Sequence, residues 1–271
     1  MSQTRVGHRP EKIAAAFLLA GLIMLPRLIG AGAAGETADP SSLWQKALAV
    51  FQKNSDLYPH KMEVSSELLD RRGRPDSVSK YYFDIIYDEQ GKTRTELTRA
   101  TKNGQDISAE TKKQIVSSNA EPEKPGAKKR QAFTFSMSDV PFNPDRRHYT
   151  AARARSETQV LFGRSCRRFD ISFRANTAVK EPAREMNWVG MAWLEEGSGV
   201  PLKLEFSIEP LPKNVNSLWT IYHYDSDATG DWALREISIQ GQGGFLFIKK
   251  GFRSTTRFND YRRRAFKEDE K

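Results

Sequence analysis

The sequence predicts a mainly β protein in which a curved antiparallel sheet packs its concave side against one N-terminal helix. Apolar residues recur at helical spacing over residues 40–58. Beyond that segment the apolar period changes to two, and it keeps this value over most of the chain. Turn signals rich in Gly, Asn and Asp separate the alternating stretches, which gives about seven or more antiparallel strands.

The individual elements follow from these patterns. Tyr58-Pro59 is predicted to end the first helix, and residues 108–118 are predicted to form a short surface helix. The glycine-rich residues 241–244 are predicted to be a hairpin turn. Strands are predicted over residues 62–68, 81–87, 92–100, 169–174, 187–194, 202–208, 218–224, 232–240, 245–249 and 253–261.

Residues 1–34 have the three parts of a secretory signal: a basic start, an apolar run over residues 13–25, and small residues after it. The run is shorter than the roughly 20 residues that span a bilayer. We therefore predict cleavage near Ala33 or Ala34 and a periplasmic protein. A retained N-terminal anchor is the alternative. No cysteine follows the signal to accept a lipid anchor.

Residues 35–271 are predicted to form a single domain. A domain of that length buries roughly 70–75% of its unfolded surface, so it needs no disulfide. Cys166 is the sole cysteine, which excludes an internal disulfide. Residues 119–131 contain no large apolar side chain and are predicted to be a mobile loop within the domain.

The formal net charge of +9 restricts the partners. Basic residues occur in short bursts with acidic neighbours, and no aromatic-plus-glycine RNA motif accompanies them, so nucleic acid is not a predicted partner. Contact with an anionic membrane surface is one interpretation, at about 1 kcal/mol for each well-placed Lys or Arg. A solvated basic face without a partner is the other.

No catalytic or metal site emerges from the reactive residues. His223 and Asp225 are placed to point the same way from a strand, but a metal usually needs three or four ligands. Cys166 with His148 is a conceivable nucleophilic pair, although no local signature surrounds it and a small half-buried side chain is the simpler interpretation. We predict neither an enzyme nor a bound metal or cofactor.

The aromatic and aliphatic residues of the strands point to a binding pocket. A curved sheet covered by one helix cannot fill its concavity with side chains alone, and the remaining space suits an apolar ligand. Each acyl methylene buried there would contribute roughly 0.8 kcal/mol. The predicted lining residues are Phe83, Ile85, Phe169, Ile171, Phe173, Trp188, Leu204, Phe206 and Trp219.

Residues 190–203 carry a resemblance to a known family. Gly190, Trp193, Gly199 and Pro201 fit the pattern Gly-x-x-Trp-Leu-Glu-x-x-Ser-Gly-x-Pro, which resembles a segment of the outer-membrane lipoprotein-sorting family. In that family the segment joins two central strands, and the order of elements over residues 38–264 is similar. The resemblance implies an incomplete β-barrel with an internal helix and an apolar interior that receives acyl chains.

We therefore expect a non-catalytic, monomeric periplasmic protein that shelters the acyl chains of a lipid or lipoprotein. The first alternative is an accessory module that uses the same scaffold to hold a protein partner, without lipid cargo. The second is a hydrolase that relies on Cys166 or the histidines.

Overall fold

The computed structural model describes residues 42–70, 72–88, 93–120, 142, 150–175, 186–211, 214–226, 230–245 and 248–263. The predicted signal over residues 1–34 and residues 121–131 of the predicted loop lie outside these ranges. Among the described residues, no helix combines the length and apolar composition needed to cross a bilayer.

Helix α1 spans Ser42–Lys53 and helix α2 spans Ser108–Ala120, so both predicted helices are present. The strands are β1 (Leu57–Leu69), β2 (Pro75–Tyr87), β3 (Thr93–Lys102), β4 (Gln105–Asp106), β5 (Thr150–Leu161), β6 (Arg164–Ala175), β7 (Met186–Glu195), β8 (Pro201–Glu209), β9 (Val215–Ser226), β10 (Trp232–Phe245) and β11 (Ile248–Arg263).

All these strands belong to one eleven-stranded sheet in the order β4-β3-β2-β1-β11-β10-β9-β8-β7-β6-β5. Neighbours in the sheet are antiparallel and consecutive in sequence, except that β1 pairs with β11. The sheet is curved, and within the described residues its end strands β4 and β5 do not pair with each other. The predicted fold class, an incomplete antiparallel barrel, is confirmed.

Helix α1 buries an apolar stripe against the concave face of the sheet. The stripe consists of Leu43, Trp44, Ala47, Leu48 and Phe51, at the spacing of one helical face. These residues share one buried cluster with side chains from β1, β2 and β6 to β11. The predicted position of the helix on the concave side therefore holds.

The helix ends earlier than predicted. The backbone N–H and the side-chain amide of Asn54 both donate to the carbonyl of Val50, at 3.2 and 2.8 Å, and a turn follows. Strand β1 then begins at Leu57, so Tyr58-Pro59 lies within a strand. Pro59 is tolerated there because the pairing of β1 with β2 begins only at Lys61, and the missing N–H costs no bond to β2.

The predicted turn at residues 241–244 is also wrong. These residues continue β10, whose last residue, Phe245, pairs with Ile248 of β11. The predicted breaks at residues 241–244 and 250–252 both lie within strands. Close packing explains the glycine at position 241. A Cβ on Gly241 would lie 2.8 Å from the Phe252 ring and 2.9 Å from the Ser217 carbonyl oxygen.

Contacts of α1 divide the concave face into two halves. Lys46 Nζ donates to the Gly197 carbonyl (3.1 Å) in the β7–β8 turn, and Arg263 Nη1 donates to the Lys53 carbonyl (3.3 Å) at the end of β11. Since that turn and the end of β11 lie at the same end of an antiparallel sheet, α1 covers this end. We call the half beside α1 the capped half and the other the uncapped half.

Candidate functional site

The capped half of the concave face is a closed apolar core. Trp44 projects from α1, and its ring centroid lies 5.5 Å from that of Phe169 and 5.0 Å from that of Phe142. Sheet residues around it are almost fully buried, including Leu204 at 0% and Phe258 at 1% exposure. The described side chains of this half are therefore packed mainly against one another.

The uncapped half carries apolar side chains that are only half-buried. Leu68 pairs with Phe252, Phe252 pairs with Gly241, and Gly241 pairs with Leu218, which forms a row across β1, β11, β10 and β9. Alternation along each strand places this row on the same face as the buried core. Together with Ile239 and Trp188, these side chains form what we call the uncapped apolar surface: Leu68, Trp188, Leu218, Ile239 and Phe252.

The dimensions explain why this surface is not covered by α1. A 12-residue helix is about 18 Å long. Strand β1 has 13 residues and, at about 3.4 Å per residue, is about 44 Å long. With Lys46 and Lys53 of α1 both bonded at one end of the sheet, α1 does not reach the apolar side chains near the other end.

The structure separates the predicted pocket residues into four groups. Ile85, Phe169, Ile171, Leu204 and Phe206 belong to the buried cluster, and Phe83 and Trp188 are partly buried against it. The side chain of Phe173 lies outside the described part of the chain. Trp219 departs from expectation, because it alternates with the buried Thr220 and Tyr222, faces the outer side and is 37% exposed.

Sequence reasoning missed four members of the uncapped apolar surface. Leu68 and Leu218 lie in strands that the alternation predicts, and Ile239 lies at the end of another. Phe252 falls between two predicted strands that the structure joins. The alternation could identify these residues as inward-facing, but only strand register places them beyond the reach of α1.

Cys166 has the surroundings of a structural residue. Its side chain is fully buried with Trp193 and Leu202, and its Sγ lies 3.2 Å from the Gln159 carbonyl oxygen as a hydrogen-bond donor. Burial raises the pKa of the Cys166 thiol, which disfavours the nucleophilic thiolate. Its proposed partner His148 lies outside the described residues.

The outer face contains a cleft of about 410 Å³ beside the β5–β6 turn. Phe162 forms one wall; it is 64% exposed, and its ring lies edge-on to His223 at 5.6 Å. Burial lowers the pKa of His223, and Asp225 forms a long 3.8 Å ion pair with Arg164. Within the described ranges, no three His, Cys, Asp or Glu side chains are grouped to hold a metal ion.

Two anchors hold the β7–β8 turn in place. On the inner side Gly199 has a left-handed φ of +76°, and a Cβ there would lie 2.3 Å from Lys46 Cβ on α1. On the outer side Glu196 accepts hydrogen bonds from Thr158 (2.8 Å), Ser165 (2.8 Å) and Arg167 (3.1 Å). The motif residues therefore build the contact between sheet and helix.

Comparisons with known proteins find no matching family model and no matching curated protein. Among solved structures, a LolA superfamily protein from Nitrosomonas europaea has 12% identity and a TM-score of 0.35, covering 85% of this chain and 95% of that one. A DUF1329 family protein from Desulfovibrio piger has 10% identity and a TM-score of 0.35, covering 83% and 94%.

A structure of MucB in complex with MucA(peri) has 9% identity and a TM-score of 0.22, covering 84% of this chain and all of that one. A second MucA/MucB complex, from Pseudomonas aeruginosa, has 9% identity and a TM-score of 0.23.

Proposed function

We propose that this protein is a non-catalytic binding protein of the cell envelope that holds acyl chains of a lipid or lipoprotein. The chains lie on the uncapped apolar surface. The contrast between the two halves of the concave face carries the proposal: apolar side chains beside α1 are sealed, whereas those beyond it stay accessible. Accessible apolar side chains lining a concave surface are a common feature of ligand sites.

The energetics suit an acyl chain. The fifteen methylene and methyl carbons of a C16 acyl chain, moved from water onto this surface, would contribute about 12 kcal/mol, and the loss of ligand freedom costs at least about 4 kcal/mol. Micromolar affinity for a long chain is the expected result, of order −8 kcal/mol. Reversible binding of this strength suits a carrier or receptor that must release its cargo.

The test compares two tryptophans on opposite faces of the sheet. Trp188→Ala removes a ring from the uncapped apolar surface, and Trp219→Ala removes one from the outer face. Titration with a fluorescent C16 fatty-acyl probe should show micromolar binding by wild type. Trp188→Ala should weaken binding about five- to twentyfold, and Trp219→Ala should leave it within twofold.

A second variant guards against a folding defect in Trp188→Ala. Leu218→Asn places a polar amide in the same apolar row and removes no aromatic contact. It should weaken probe binding about threefold or more while the thermal unfolding midpoint stays close to wild type. The proposal would be contradicted if folded wild-type protein did not bind the probe. It would also be contradicted if Trp219→Ala weakened probe binding as much as Trp188→Ala.

A second candidate function is to hold a protein partner on the outer face. Phe162 favours it, because this aromatic residue adopts a left-handed φ of 52° and stays largely exposed beside the cleft. Such a conformation costs of order 1 kcal/mol. Recovery of one stoichiometric partner from an envelope extract by wild type but not by Phe162→Ser, with no bound lipid, would favour this candidate.

A further inference from the structure

A group of hydroxyl side chains interrupts the apolar concave face across three adjacent strands. Ser66 on β1 pairs with Ser79 on β2 and with Ser254 on β11, so the three serines form one row. Thr256 on β11 pairs with Val64, one step closer to α1. Directly opposed side chains have Cβ atoms about 5 Å apart. We call Ser66, Ser79, Ser254 and Thr256 the inner hydroxyl patch.

Strand alternation places this patch on the inner face. Ser66 lies two residues from Val64, and Ser254 lies four residues from Phe258; both Val64 and Phe258 belong to the buried core. The intervening residues point outward and form ion pairs, as Glu67 does with Arg253 at 3.3 Å. Ser79 and Thr256 are correspondingly buried, at 9% and 7% exposure.

The hydrogen bonding of inner and outer hydroxyls differs. On the outer face, Ser238 Oγ lies 3.2 Å from Thr255 Oγ1 in a side-chain hydrogen bond. In the inner patch, no hydroxyl is hydrogen-bonded to another of the described residues. Ser79 and Thr256 are buried and Ser66 and Ser254 are half-buried, but none of the four hydroxyl oxygens is fully withdrawn from solvent. These hydroxyls are therefore available to donate to a polar group that enters the concave face.

The surroundings define the chemistry of that group. The next row outward contains Leu68 and Phe252, and the next row inward contains Val64 and Ile237. Along β1, β10 and β11 these inward positions hold no Asp, Glu, Lys or Arg, and at the β2 edge of the patch Lys102 of β3 pairs with Ser79. Hydroxyls donate to a neutral acceptor, and a carbonyl oxygen is the acceptor that joins an acyl chain to the rest of a lipid.

We propose that the inner hydroxyl patch binds the ester or amide carbonyl of an acyl ligand, whose chain runs along the uncapped apolar surface. This inference rests on the proposed function and adds to it. Two residues along a strand span about 6.7 Å, so a carbonyl at Ser66 and Ser254 places the following methylenes beside Leu68 and Phe252. The preferred ligand is an acyl ester or amide, and a chain without a carbonyl is a poorer one.

The experiment uses two ligands that differ only at the carbonyl. 1-Monopalmitoylglycerol carries an ester, and 1-O-hexadecylglycerol has a methylene in place of the carbonyl. Displacement of the fluorescent acyl probe from the full mature protein gives both affinities. Wild type should bind the ester about three- to tenfold more tightly, the value expected for one or two neutral hydrogen bonds.

Variants assign that preference to the patch. The triple variant Ser66→Ala, Ser79→Ala, Ser254→Ala should lose the preference and keep its affinity for the ether. The outward control Ser65→Ala, Ser238→Ala should keep the preference. If the triple variant does not fold, Ser254→Ala alone should reduce the preference by about half on a logarithmic scale.

The outcomes separate the two proposals. Equal binding of ester and ether by wild type overturns the carbonyl site and leaves acyl binding intact. A preference that survives the triple variant also overturns it, because the carbonyl then binds elsewhere. Binding of neither ligand overturns the carbonyl site and the proposed acyl-binding function together.

Discussion

The two halves of the concave face are built from the same strands with the same alternation, yet they have different physical characters. In the capped half, Trp44 and its neighbours on α1 meet side chains such as Leu204 and close a core. In the uncapped half, equally apolar side chains such as Leu218 and Ile239 stay half-buried. The difference arises from the reach of one short helix, and in the proposed function it confines the ligand to one half of the concave face.

Replacing one tryptophan in each half should give very different losses of stability. Trp44 is 2% exposed and contacts two aromatic rings, so Trp44→Ala should lower the free energy of unfolding by about 3–5 kcal/mol. Trp188→Ala removes a half-buried ring and should cost about 1–2 kcal/mol. Urea unfolding monitored by circular dichroism measures both. Equal losses would mean that the two halves are packed alike.

The contact that seals the capped half can be loosened through the β7–β8 turn. Gly199→Ala forces a side chain into a left-handed conformation and against Lys46 on α1, which should destabilise the protein by about 2 kcal/mol. Gly197→Ala in the same turn is the matched control, because a Cβ there meets nothing within 4 Å. The same unfolding assay applies. A loss in Gly197→Ala as large as that in Gly199→Ala would assign the effect to turn flexibility.

The stabilisation that Glu196 gives to the outer side of the β7–β8 turn should depend on pH. Hydrogen bonds from Ser165, Thr158 and Arg167 lower the pKa of Glu196 below its ordinary 4.5. Its ionised form therefore stabilises the folded state above pH 4.5, and this contribution is lost as pH falls through the lower folded-state pKa.

Glu196→Gln should accordingly reduce the thermal unfolding midpoint modestly at pH 7. The difference from wild type should shrink as the pH decreases below 4.5. Scanning calorimetry between pH 7 and pH 3 provides the measurement, with Glu157→Gln on neighbouring β5 as the control. A difference that stays constant across this range would show that the carboxylate charge does not matter.

Much of the fold could be predicted from sequence because the strands alternate strongly. The alternation of Leu204 and Phe206 with polar residues predicts an inward face, and the composition of residues 195–199 predicts a turn. Trp219 could not be assigned in the same way, since Leu218, Thr220 and Tyr222 alternate with Trp219 and Ile221, and both sets contain large apolar residues. The glycine-rich residues 241–244 have the composition of a turn. They lie in a strand because neighbouring strands pack closely against them, and the local sequence carries no signal of that packing.

The proposed binding surface was harder to predict than the fold, because it depends on strand register and on where α1 is anchored. The inward position of Leu68 follows from alternation, but its distance from α1 follows from its pairing with Phe252. Likewise, Ser66, Ser79 and Ser254 are unremarkable as separate residues. Pairing across three strands brings them together.

Photo-crosslinking with an acyl ester that carries a diazirine on its chain tests the central claim most directly. After irradiation and proteolysis, mass spectrometry should locate the label in peptides containing Leu68, Leu218, Ile239 or Phe252. Competition with unlabelled monopalmitoylglycerol should remove it. Saturable labelling confined to outer-face residues such as Phe162 and Trp219 would contradict the claim that acyl chains occupy the uncapped half of the concave face.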